Sequence, residues 1–287
     1  MASVLTIDIS NSKNVIYRHR NEFAKSSPRN FIKFCKLLGV DTIKTPYLNI
    51  GTIEIDPRGG TISESILANR HYQLQNMQVT VDKLVAPLPQ FVNIGANIGA
   101  NIGANIGTTI LNAWSKGFTD FVAVEPVTFN YNLLIKNITK FDISSKNLNV
   151  ACGQNSGSAK INLHPSSGGR HSFKDQFRGN LTQEVELIKL DSLKLKAPFF
   201  LWVDTEGFEL EVLKGGLESI KSFCLGACVE ISPNMAGVGA ACEVIELLSQ
   251  IFSVHYDVSG RVCDLNEIRN KVRRNEISQC DLISFRV

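Results

Sequence analysis

Residues 91–114 read FVNIGANIGANIGANIGTTILNAW. An apolar strand from Phe91 to Gly95 runs into a series of glycines and then into a helical pattern that begins near Thr108. Glycine lets backbone approach a ligand closely, and the free N–H groups of the turn and helix start point at whatever it holds. Strand, Gly-rich turn and helix together make the cradle for the charged end of a nucleotide-like cofactor. The same sequence also serves as a plain tight connection, so its neighbours matter. A second apolar strand, FVAV at 121–124, ends in Glu125-Pro126, eighteen residues past Gly107. An acidic residue at about that distance is placed to accept from ribose hydroxyls.

The turn carries a tandem repeat: NIGA begins at 93, 97 and 101, and NIGT at 105. It is too short for a solenoid. One pass through such a turn needs about two units, by analogy with the six-residue Gly-x-Gly-x-x-Gly loop, so roughly eight residues are surplus.

From Phe91 onward strands and helices alternate. Strands are expected at 91–95, 121–125 and 147–153, with helices at 108–116, closed by Gly117, and at 128–139, where Leu133, Leu134 and Ile138 face inward. Short strands separated by helices imply a doubly wound, mostly parallel sheet with right-handed crossovers and ligands at the carboxyl ends of the strands. That edge would gather the glycines, Glu125 and Ala151–Gly153. Residues 155–180 form a long polar stretch around the short strand 159–163, and a loop of that kind in a compact domain is more often functional than idle.

After an extended segment at 185–193, PFFLWVDTEGFELEVLKGG (198–216) repeats the strand-to-helix theme. The apolar strand FFLWV delivers Asp204, Glu206 and Gly207 to the same edge, and a helix at 208–214 stops at Gly215-Gly216. Carboxylates at a buried strand end act as general base, metal ligand or hydrogen-bond acceptor for a hydroxyl. The structural alternative for Asp204 and Glu206 is capping and first-turn dipole compensation. Beyond them, 225–231 reads as a strand and 238–250 as a helix, and 252–258 with 281–287 suits an antiparallel pair at a sheet edge.

Residues 1–85 read as an N-terminal α+β extension, and 86–287 as the wound domain. Ser27-Pro28 opens a helix that stops at Gly39, 47–55 alternates as one strand, 61–75 is helical, and VTVDKLV (79–85) reads as a strand or edge segment. The extension is a candidate cover on the substrate side.

Composition bounds the function classes. The chain has 287 residues, 44% hydrophobic and 20% charged, with a net charge of +3, as expected of an ordinary globular protein. Lys271–Arg274 is the one basic run, and it reads as a solvated helix face rather than a nucleic-acid site. Seven scattered cysteines show no CxxC pair, and the five histidines lack ligand spacing, so no metal-binding residues are assigned. Cys224 and Cys228 are expected in the core on one strand face. With no signal-peptide pattern and no apolar run near the roughly 18 residues of a span, a cytoplasmic protein is expected.

The run from Phe91 to Val287 resembles the FkbM-type S-adenosylmethionine-dependent methyltransferases. The resemblance rests on the NIGANIG turn, VEP at 124–126, ACG at 151–153, the NSG and SGGRHS elements, VDTEGFELEVLKG at 203–215 and VEI at 229–231. It implies a seven-stranded class I methyltransferase sheet, S-adenosyl-L-methionine as cofactor, and methyl transfer to a hydroxyl of a sugar or secondary metabolite. Carried over residue by residue, the turn would hold the methionine end of the cofactor and Glu125 its ribose, with Ala151 and Cys152 bordering the adenine. Asp204 and Glu206 would lie near the transferred methyl or the acceptor, with Asp204 as base or orienter and His171 as its competitor. A divalent ion at Asp204 and Glu206 stays open as an alternative use of that pair.

Two departures from the family pattern stand out. Asn93 occupies a position where family members carry Asp or Glu. The repeat also offers two registers: counting forward from the strand, Asn93, Gly95, Asn97 and Gly99 take the site, and counting back from Glu125, Gly103, Asn105 and Gly107 do. Both cannot occupy one place, so the surplus could tune or impair activity. Two rival readings remain: a nicotinamide-dependent Rossmann oxidoreductase, and a methyltransferase-like scaffold without activity.

Overall fold

A computed structural model describes residues 5–10, 15–85, 87–95, 104–163, 173 and 181–287. The N-terminal part contains β1 (Thr6–Asp8), α1 (Val15–Ser26), α2 (Pro28–Leu37), β2 (Thr42–Tyr47), β3 (Gly51–Ile55), α3 (Thr61–Asn69) and α4 (Leu74–Lys83). Its strands form a separate sheet in the order β1-β2-β3. Pro28 sits in the first turn of α2, where its missing N–H costs nothing.

The alternating part follows as β4 (Gln90–Gly95), α5 (Thr108–Ser115), β5 (Phe121–Val124), α6 (Thr128–Thr139), β6 (Ser145–Leu148), β7 (Ala151–Cys152), β8 (Gly157–Asn162) and β9 (Thr182–Ile188). Then come β10 (Phe199–Asp204), α7 (Glu209–Gly215), α8 (Leu217–Phe223), β11 (Cys224–Ile231), α9 (Pro233–Ala236), α10 (Val238–Ile251), β12 (Val254–Tyr256), α11 (Leu265–Arg273) and β13 (Cys280–Phe285). Seven strands make the main sheet in the order β12-β13-β11-β10-β4-β5-β6, and β13 alone runs antiparallel to its neighbours. A mixed α/β fold with a mostly parallel seven-stranded sheet is therefore the architecture.

The central strands are apolar on both faces because both are covered. Phe91, Phe200, Trp202, Cys228 and Ile283 join a cluster with α5, α6 and the N-terminal part, including Tyr47, Ile66, Tyr72 and Met77. Val92, Val124, Leu201, Val203 and Val229 face the other way, onto residues of α7, α8, α10 and α11. Buried polar groups fasten the first interface. The Tyr47 hydroxyl donates to Asn112 Oδ1 at 2.8 Å, and Asn112 Nδ2 donates to the Tyr72 carbonyl at 2.6 Å. Asn137 of α6 accepts from the Glu54 N–H at 2.7 Å and donates to the Ile106 carbonyl at 2.9 Å, tying β3 to the turn before α5.

Several expectations need correction. The single strand at 47–55 is a hairpin: Leu48 takes a left-handed φ of 46°, and β2 and β3 pair antiparallel across the turn. The helix at 61–75 breaks where Arg70 and Gln73 take left-handed φ values of 64° and 47°. Residues 79–83 are the end of α4 rather than a strand, with Asn76, Met77, Val79 and Thr80 buried. Segment 147–153 divides between sheets, β6 pairing with β5 and β7 with β9. Cys224 and Cys228 are both buried, but on opposite faces, because a register shift between Phe199 and Phe200 reverses the side-chain alternation along β11.

Candidate functional site

The carboxyl ends of β4, β5 and β10 meet along one edge, as the sheet order requires. Gly95 closes β4 directly opposite Asp204, and Asn93 lies opposite Trp202. The chain enters α5 through Ala104–Gly107, with Asn105 at φ 38° and Gly107, the helix N-cap, at φ 91°. The Gly107 N–H returns to the Ala104 carbonyl at 2.7 Å. A side chain at Gly107 would also press on Leu134 at 3.1 Å, so the turn requires glycine on both counts. Ala104, Asn105 and Ile106, in the turn that enters α5, are buried. Asn97, Gly99 and Gly103 lie outside the described residues.

Glu125 follows β5 and is fully buried. Its Oε2 accepts from the Asn105 N–H at 3.0 Å and its Oε1 from the Val127 N–H at 2.9 Å. Burial pushes this carboxyl up to about 8, against the pull of those two N–H groups and of the Asn130 side chain. The acid and the last repeat copy are thus joined directly. Ala151 and Cys152 are buried close by, and burial pushes the Cys152 thiol up to about 12. Gly153 approaches α7 so closely that a Cβ at Gly215 would fall 2.0 Å from the Gly153 carbonyl oxygen, which explains the glycine ending that helix.

The turn from β10 to α7 mirrors the first one. Glu206 holds a left-handed φ of 51° and Gly207 one of 99°. A bulky residue in that region is strained and persists only where its surroundings fix it. Glu209, the first residue of α7, fastens the turn that precedes the helix, and α7 has no side-chain cap. Its Oε1 accepts from the Thr205 N–H at 2.9 Å, the Thr205 hydroxyl at 3.0 Å and the Gly207 N–H at 3.0 Å.

Asp204 and Glu206 are both buried, and one oxygen from each lies within 4.8 Å of the other and of a Glu230 oxygen. Glu230 ends β11, where its Oε2 accepts from the Ser232 hydroxyl at 2.5 Å and its Oε1 from Gln279 Nε2. Burial, then the charges of Asp204, Glu209 and Asp281, hold its carboxyl well above the usual range. Asp281 on β13 pairs with Glu230 and accepts from Asn76 Nδ2 at 2.6 Å. Tyr72 stands nearby: burial first, then the charges of Asp204, Asp281, Glu230 and Glu206, raise its phenol.

The structure therefore brings Asn93, Gly95, Asn105, Gly107, Glu125, Asp204 and Glu206 to one edge of the main sheet, with Ala151 and Cys152 on β7 of the small sheet that contacts β4. His171 lies outside the described residues. Two positions along, the Phe173 ring packs on Phe208 with centroids 4.7 Å apart. Sequence reasoning missed Glu230, Asp281, Asn76 and Tyr72. For Glu230 a signal existed, since an acid closing an apolar strand is the argument that found Asp204. Tyr72 and Asn76 carry none, because only tertiary packing brings the N-terminal part to this edge.

A family profile described as the methyltransferase FkbM domain matches residues 94–257, more than half of the chain. The chain belongs to that family. It is a methyltransferase by that membership. No curated protein sequence matches it. Among solved structures, the methyltransferase FkbM from Methylobacillus flagellatus KT is similar, at 14% identity over 96% of this chain and 80% of that one, with a TM-score of 0.44. A putative transferase from Pyrococcus horikoshii is 10% identical over 92% of this chain and 82% of that one, with a TM-score of 0.37. A geranyl diphosphate methyltransferase in complex with GPP and sinefungin is 10% identical over 94% of this chain and 98% of that one, with a TM-score of 0.40. Among the described residues, no helix is long and apolar enough to cross a membrane.

Proposed function

We propose that this chain is an S-adenosyl-L-methionine-dependent O-methyltransferase acting on a hydroxyl of a sugar or secondary metabolite. The observation that carries the reading is the buried Glu125 carboxyl group at the end of β5, bonded to the N–H of Asn105 in the glycine turn. The residues present fit the cofactor. Glu125 suits ribose hydroxyls, which donate, and the Asn105 Nδ2 is a buried donor with no partner among the described residues. The turn 104–107 would take the methionine end, and Ala151 with Cys152 would border the adenine.

When bound, S-adenosyl-L-methionine supplies an electrophilic methyl on a sulfonium. Asp204 accepts the hydroxyl proton of the acceptor and aims its oxygen, with Glu206 beside it and His171 as the competing base. Burial excludes water from these carboxylates, which strengthens their hold on the acceptor. Residues 1–85 cover the substrate side of the domain formed by 86–287, a reading supported by the Asn76–Asp281 hydrogen bond. The expanded repeat tunes activity, because units of four residues change the length of the connection without changing the turn that meets Glu125.

Thermal shift and calorimetry with S-adenosylhomocysteine and with NAD test the assignment. Stabilisation by S-adenosylhomocysteine alone, lost in Glu125→Ala, is the expected result. A response to NAD instead would favour an oxidoreductase, and silence with both ligands would leave a non-catalytic scaffold.

A further inference from the structure

Four adjacent strands, β4, β10, β11 and β13, bring one row of positions to the carboxyl edge on the face that the N-terminal part covers. Gly95 stands opposite Asp204, the β10–β11 pairs run to Val203 and Val229, one residue before Asp204 and Glu230, and Glu230 stands opposite Asp281. Asp204, Glu206 and Glu230 are 1%, 2% and 1% exposed, and each offers an oxygen within 4.8 Å of the other two. Glu230 is held in place by Ser232 and Gln279, and Glu206 by the left-handed turn it occupies.

A second observation is independent of the acids. Asn93 is 0% exposed, and neither its Oδ1 nor its Nδ2 has a hydrogen-bond partner among the described residues. A buried carboxamide with both ends unpaired is costly unless it serves a ligand. Asn93 pairs with Trp202, so its side chain leaves the sheet on the same face as Asp204, two positions further on. The register therefore places this unpartnered carboxamide on the face that carries the acidic cluster, one strand over from Asp204 and two positions before it.

We propose that Asp204, Glu206, Glu230 and the Asn93 Oδ1 bind a hard divalent cation, Mg2+ or Mn2+. Four oxygen donors without histidine or cysteine match such an ion, which fills its remaining octahedral positions with water or substrate oxygens. A divalent charge also relieves the repulsion among three buried carboxylates, which would otherwise have to share protons. Ser232 and Gln279 would then orient a ligand. The site goes beyond methyl transfer as proposed above and needs neither cofactor nor acceptor to be tested.

Mn2+ titrated into the full, cofactor-free chain at neutral pH, followed by electron paramagnetic resonance and calorimetry with Mg2+ competition, decides it. Saturable binding of about one Mn2+ per chain is expected, displaced by Mg2+. Glu230→Gln should weaken it at least tenfold. Glu267→Gln, an exposed side chain of α11 paired with Lys271, should leave it unchanged. Should Glu230→Gln fail to fold, Asp204→Asn serves in its place with the same expected loss. Absence of saturable binding, or binding that survives both Glu230→Gln and Asp204→Asn, overturns the proposal. Mn2+ binding without any response to S-adenosylhomocysteine would overturn the cofactor assignment alone.

Discussion

Removing residues 97–104 joins Ala96 to Asn105 and leaves FVNIGANIGTT, so every residue type in the turn that meets Glu125 is retained. In the native chain twelve residues, 96–107, connect Gly95 to Thr108, and after the deletion four do. Closing a connection costs (3/2)RT ln n, so shortening it threefold recovers about 1 kcal/mol if no contacts fix the removed segment. For a chain of this size that is a rise of about 2 °C in melting temperature. If the surplus must also be ordered before the turn can present its amides, the same free energy raises affinity for S-adenosylhomocysteine about fivefold. Urea denaturation and calorimetry on both proteins are sufficient. Unchanged or weaker binding by the shortened chain would refute the view that repeat length tunes the site, and lower stability would show that the removed copies make contacts of their own.

Gly215→Ala should cost roughly 2–4 kcal/mol in chemical denaturation, because its Cβ would fall 2.0 Å from the Gly153 carbonyl oxygen and 2.8 Å from its carbon, neither of which can swing away. A loss below about 1 kcal/mol would mean that the approach of these segments relaxes freely. Tyr47→Phe leaves the buried Asn112 Oδ1 without its 2.8 Å donor, and a loss of about 1–2 kcal/mol is expected; no change would show that water replaces the hydroxyl. Glu125 links stability to pH. Its folded value of about 8 exceeds the 4.5 of the exposed group, so the native chain keeps a proton that the unfolded chain releases. That contribution is complete below pH 4.5 and is lost as pH rises to about 8, by up to about 5 kcal/mol. Glu125→Gln removes the slope, so stability curves of the two proteins running parallel between pH 5 and 8 would contradict it.

Much of the architecture could be read from the letters because apolar runs ended by glycine or acid are short-range signals. Helix α6 at Thr128–Thr139 and strand β10 at Phe199–Asp204 were legible for that reason. The N-terminal part was harder. Its elements change at residues such as Leu48 and Arg70, which adopt left-handed backbone without the glycine that would announce it. The valines at 79 and 81 alternate like a strand, yet that segment continues the helix begun at Leu74, burying Met77 and Thr80 against the sheet. At the site, residues on consecutive strand-to-helix turns were found, since each turn is local. The Glu230–Asp281 pair joins β11 to the last strand, and Asn76 reaches Asp281 across 205 positions of sequence, a distance that no spacing rule spans.

The span matched by the family profile cannot stand by itself as a folding unit. It starts at residue 94 and stops at 257, leaving most of β4 and all of β13 outside. A protein trimmed to those limits would have a gap between β10 and β5, where β4 belongs, and β11 would lose its antiparallel neighbour. It would also strip the N-terminal residues, Tyr72 and Met77 among them, from the apolar cluster that buries Trp202 and Cys228. Such a fragment should aggregate rather than fold, so work on smaller versions of this enzyme has to keep both flanks.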